Sequence, residues 1–155
     1  MLPDRSKIKL YSHEYFMLKA LEQAMMAYEN GEVPVGAVVV SMGRIIGKGH
    51  NMIEQLNDVT AHAEMIAISA ACEKLKTKYL TDATLYVSLE PCCMCAGALN
   101  WVQLERIVFA AADTKRGYQH FSNNIIHPRT EVIEGVFAEE SRVILQTFFK
   151  NLRKD

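Results

Sequence analysis

The sequence predicts an α/β protein, a three-layer α/β/α sandwich built on a mixed five-stranded sheet. Three observations predict it. Five short runs rich in β-branched residues alternate with helical periodicities, and the first two runs are joined by a turn too short for a crossover. A hairpin followed by alternating helices and strands mixes antiparallel with parallel pairing and covers both sheet faces.

The elements follow in order. From Ser12 to Asn30, Phe16, Met17, Ala20, Leu21, Ala24 and Tyr28 recur at helical spacing; Ser12 is the expected cap and Gly31 the stop. VPVGAVVVS and RIIGKGH, linked by Met42-Gly43, form the hairpin. Residues Asn51 to Val59 show no period and are expected as loop. Thr60 is the expected cap of a second helix whose buried stripe would be Met65, Ile66, Ile68, Ser69, Cys72 and Leu75. ATLYVSL is a third strand running into Glu90-Pro91 and a helix from near Cys92, with Pro91 expected in its first turn. ERIVFAA is a fourth strand. Asp113 to Pro128 is expected mostly as loop with one helical turn, TEVIEGV as a short edge strand, and Glu139 to Lys154 as a helix turning Val143, Ile144, Thr147, Phe148 and Leu152 inward.

The 155 residues carry no Pro/Gly/Ser-rich linker or repeat, so a single domain over 1–155 is expected. Half the residues are hydrophobic and 23% charged, which excludes a disordered chain. No apolar run approaches the roughly 18 residues a membrane span needs. The opening MLPDRSKIKLYSHEYF has no continuous apolar stretch and does not read as a secretory signal. Four cysteines are too few for a disulfide scaffold, so a cytoplasmic setting is expected. With 17 basic and 18 acidic residues, the net charge of −1 argues against gripping nucleic acid by broad electrostatics.

Two segments carry chemistry, His62-Ala63-Glu64 and Pro91-Cys92-Cys93-Met94-Cys95. Each opens an expected helix. Cys92 and Cys95, three apart, face one side of a first turn, whereas Cys93 is rotated roughly 100° away. With His62 they offer one nitrogen and two sulfurs, a set suited to Zn²⁺, with a fourth position left for water. Zinc lowers the pKa of such a water from 15.7 to around 7. Glu64 is then the proton carrier, provided that it and His62 converge beyond the helix mouth. A strand, CxxC and helix in succession is also the thioredoxin-like arrangement, but H-x-E followed by P-C-x-x-C is the signature of zinc-dependent nucleobase deaminases. Cys72 is expected as a core residue without chemistry.

TAHAEM, DATLYVSLEPCCMCAGAL, GEVPVGAVVV and FFKNLR resemble the bacterial tRNA-specific adenosine deaminases of the cytidine deaminase-like superfamily. That resemblance implies deamination of adenosine to inosine at the wobble position of a tRNA, in a homodimer. It implies one zinc per chain on His62, Cys92 and Cys95, with Glu64 moving the proton. It also implies contacts from Asn51 to the base, from Asp113 and Lys115 beside the flipped nucleotide, and from Phe149 and Arg153 to the anticodon loop. Between Gly117 and Glu131 the sequence YQHFSNNIIHPRT replaces the glycine/serine-rich stretch usual there. It motivates a second reading, a deaminase of a free base such as guanine or cytosine.

Overall fold

The computed structural model describes residues 1–154. Helix α1 (His13–Glu29) starts where the Ser12 hydroxyl accepts the Tyr15 N–H, and Gly31, at φ 76°, lets the chain turn away from it. Strands β1 (Gly36–Ser41) and β2 (Arg44–His50) are joined by Met42 and Gly43, both at positive φ, the geometry that matches strand twist in a two-residue turn. Then come α2 (Ile53–Leu56), α3 (Ala63–Leu75), β3 (Ala83–Leu89), α4 (Cys93–Trp101), β4 (Arg106–Ala111), α5 (Tyr118–Phe121), β5 (Glu131–Glu134) and α6 (Ala138–Lys154).

The sheet order is β2-β1-β3-β4-β5. β1 is antiparallel to both its neighbours, while β3, β4 and β5 are parallel. Hence β1 alone is reversed, and β2, β3 and β4 all end at one edge. Alternation along the strands sends Val38, Val40, Tyr86 and Val108 toward α1, and Ala37, Val39, Leu85 and Phe109 toward α3 and α4. Three layers result, as expected, and the C-terminal edge of the parallel strands is left open for a ligand.

Several local expectations are corrected. The loop after β2 contains the single turn α2, tied down because the buried Glu32 carboxylate accepts the Glu54 and Gln55 N–H groups. Thr60 is not the cap of α3: its hydroxyl donates to Asp58, and the N-cap is His62. The inward stripe of α3 is Ala63, Glu64, Ala67, Ile68 and Ala71, while Ser69 and Leu75 are exposed. The physical reason lies in β2. A Cβ on Gly47 or Gly49 would collide with α3 backbone, so the helix sits against bare strand and presents alanines to it. Pro91 precedes the N-cap Cys92 and lies outside α4. Along α6, Ile144 and Phe148 are buried together with Ser141, but Val143 and Leu152 are exposed. The Ser141 hydroxyl donates to Ser88 O, which fixes the inward face one step from where apolar residues alone would put it.

Candidate metal centre and substrate pocket

The open edge gathers what the motifs promised. His62, at the mouth of α3, turns Nδ1 toward Cys92 Sγ at 3.7 Å and Cys95 Sγ at 3.5 Å. The three ligand atoms lie within 4.8 Å of one another, and no other such His/Cys/Asp/Glu group occurs among the described residues. Cys93 is exposed and stands apart from them. A tetrahedral zinc with bonds of about 2.3 Å to sulfur and 2.05 Å to nitrogen sets an N–S edge of about 3.6 Å. The two observed edges match it, so the residues present fit the ion.

The protonation chemistry points the same way. Hydrogen bonds with Cys95 and then His62 hold the Cys92 thiol down to about 4, whereas the bond to Cys92, followed by burial, pushes Cys95 up. Of the two thiols, Cys92 is therefore the one that ionises first. His62 is raised, chiefly by its hydrogen bond with Cys92. A divalent cation bound there would displace the protons of this cluster.

Glu64, only 4% exposed, lines the same cavity, and burial pushes its carboxyl up to about 7. It can reach the site because His62 is the N-cap and Glu64 the second residue of α3. Near a helix mouth both side chains lean past the end. The convergence expected from a Thr60 cap therefore arises with a different cap. Asn51, buried just after β2, holds the mouth in place: its Oδ1 accepts the Ala63 N–H (2.9 Å) and its Nδ2 donates to Val33 O (3.1 Å).

Above these residues lies a cavity of about 460 Å³, walled by Asn51, Ile53, Leu89, Asp113, Arg116 and Phe149. A groove adjoins it, lined by Asp113, Lys115, Arg116, Phe149 and Arg153. Phe149 reaches the cavity because α6 crosses the open edge, with Phe148 packed on Tyr28. Lys115 and Arg153 line only the groove. Sequence reasoning missed Arg116 and Glu90 as pocket residues. Arg116 carries no motif, and the signal for Glu90 is a carboxylate ending a strand that is otherwise buried.

The profile of the cytidine and deoxycytidylate deaminase zinc-binding region matches residues 10–111. The tRNA-specific adenosine deaminase of Aquifex aeolicus is 47% identical over 146 residues, 92% of this chain and 97% of that protein. A solved chain from work on A-to-I editing by tRNA:A34 deaminases at the wobble position superposes with TM-score 0.79. It is 43% identical and covers 84% of this chain and 99% of its own. A guanine deaminase from Bacillus subtilis superposes with TM-score 0.64 at 42% identity, covering 66% of each chain.

Proposed function

The chain belongs to the cytidine and deoxycytidylate deaminase family, and on that premise we propose that it converts adenosine to inosine at the wobble position of a tRNA anticodon. The observation that carries the reading is the His62, Cys92 and Cys95 triad with Glu64 beside it, in a base-sized cavity that adjoins a groove lined by cations. Overall, water adds at C6 of adenine and the 6-amino group leaves as ammonia.

His62, Cys92 and Cys95 would hold zinc, which supplies a water acidified to near neutrality. Glu64 handles the protons. With its pKa near 7 its carboxylate can accept a proton from water, deliver it to N1 of the base and, after a second transfer, protonate the departing amine. Asn51 keeps one amide hydrogen and one lone pair free after its two backbone bonds, enough to orient a base edge. Ile53 and Leu89 exclude water from the base, and Phe149 offers a ring for stacking. Asp113 and Lys115 flank the flipped nucleotide, and Arg153 meets phosphate.

Met94 and Trp101, both exposed and seven residues apart on one side of α4, support pairing of two chains as a homodimer, which light scattering tests directly. No helix among the described residues is long and apolar enough to cross a membrane. The four free cysteines suit a reducing, cytoplasmic setting. A paired assay decides the substrate. Zinc-loaded protein is expected to release ammonia from an anticodon stem-loop with a wobble adenosine. Release from free guanine or cytosine, with none from the RNA, would refute the reading.

A further inference from the structure

Glu90 takes no part in the chemistry above, yet its carboxylate is buried at the pocket wall, 5% exposed and in no salt bridge among the described residues. Leaving a carboxylate in such a place is costly unless backbone N–H groups satisfy it. Here they do, and both come from the segment after β4 that runs from Asp113 into the first turn of α5. Oε1 accepts the Asp113 N–H at 3.1 Å and Oε2 the Gln119 N–H at 2.9 Å. We propose that Glu90 is a positioning residue that clamps the 113–119 loop, and with it Asp113 and Arg116, against the metal-binding mouth of α4, setting affinity for the substrate and not the chemical step.

Three further observations fit this clamp. Gly117 has φ −61°, a conformation open to any residue, so backbone freedom does not explain it. Space does: a Cβ there would run into the Glu90 carboxylate and Asp113 O. The loop is also stitched to the residues that follow Glu90, through Tyr118 N–H to Pro91 O at 2.9 Å and a bridge between Cys92 and Gly117. Finally, Asp113 passes the constraint on, because its Oδ1 accepts the Lys115 and Arg116 N–H groups at 3.1 and 3.0 Å. One carboxylate thus fixes the backbone from which Arg116 reaches into the cavity. A glutamine at 90 keeps one acceptor but turns an NH₂ toward the other N–H, so one bond is lost with the shape unchanged.

The proposal rests on the substrate reading above, and two measurements separate their fates. Amide hydrogen exchange on the zinc-loaded protein needs no substrate. In Glu90→Gln at least one of the Asp113 and Gln119 amides is expected to exchange about tenfold faster or more, the factor one lost charge-assisted bond carries, with β3 and β4 unchanged. Unchanged protection of both amides overturns the clamp. Turnover of the wobble stem-loop is the second measurement: KM is expected to rise about tenfold with kcat within about twofold. In an Arg116→Ala background that KM effect should shrink to within about twofold. A fall in kcat at constant KM, or full additivity with Arg116→Ala, overturns it equally. Should Glu90→Gln not fold, Gly117→Ala displaces the same carboxylate and is read by the same exchange and KM changes. A wild-type protein inactive on the stem-loop refutes the substrate reading alone, and the exchange result still decides the clamp.

Discussion

Cys92 and Cys95 both turn Sγ toward His62 Nδ1, and the proposed function divides the labour between these three ligands and Glu64 as base. Cys92→Ser removes the sulfur that ionises most readily and is expected to drop bound zinc well below about one per chain, measured by metal analysis after gel filtration. Glu64→Gln is the complementary change. It keeps the shape of a buried side chain that holds no ligand position, so zinc and melting temperature should be retained while turnover falls by at least about 10²-fold. Turnover within twofold of wild type would remove Glu64 from the mechanism. This division was legible in the sequence because ligand spacing is a property of one helix turn: Cys92 and Cys95 must share a side and Cys93 cannot. The backbone bonds of Glu90 and Asn51 were not legible, since each is made to partners far along the chain. Glu90 meets residues 23 and 29 positions away, and Asn51 reaches back 18 and forward 12.

At the scale of elements, the position of the site depends on how closely α3 lies on β2. Gly47 and Gly49 leave the strand bare where Ala63, Ala67 and Ala71 approach, and α3 carries His62 and Glu64 at its mouth. Gly49→Ala inserts a methyl against the α3 backbone at Ala63, the residue after His62. It should cost about 1–3 kcal/mol in urea denaturation and lower zinc affinity with it. Ser69→Ala, on the exposed face of the same helix, should change neither. The helix itself was legible from its period, but its inward face only in part: Ile68 is buried and Met65 and Cys72 pack on the core, whereas Ser69 and Leu75 are exposed. Large apolar residues marked the expected stripe, whereas the packing selected the small ones because the glycines opposite left no room for more. On α6 a similar displacement followed from a single buried hydroxyl, Ser141, bonded to the end of β3. In both cases periodicity identified the element, and a neighbour distant in sequence selected the face.

For the whole molecule, a net charge of −1 and a nucleic-acid substrate are reconciled by where the cations lie. Because β2, β3 and β4 end at one edge and α6 crosses it, Lys115, Arg116 and Arg153 collect around one groove beside the cavity. Outside those three cations the chain carries 14 basic against 18 acidic residues, a net −4, so the remainder adds no attraction for RNA. Such a molecule should bind an anticodon stem-loop with weak salt dependence. If those three cations each neutralise one phosphate of a single-stranded loop, the slope of log affinity against log salt is about −2. Fluorescence anisotropy over a salt series measures it with the zinc-loaded protein. Arg153→Ala should reduce the steepness by about 0.7, because it removes one phosphate contact while leaving zinc and Glu64 untouched. A slope several-fold steeper would mean that RNA engages surfaces well outside this groove. A slope near zero would mean that the groove cations meet no phosphate, and that the cavity alone selects its substrate.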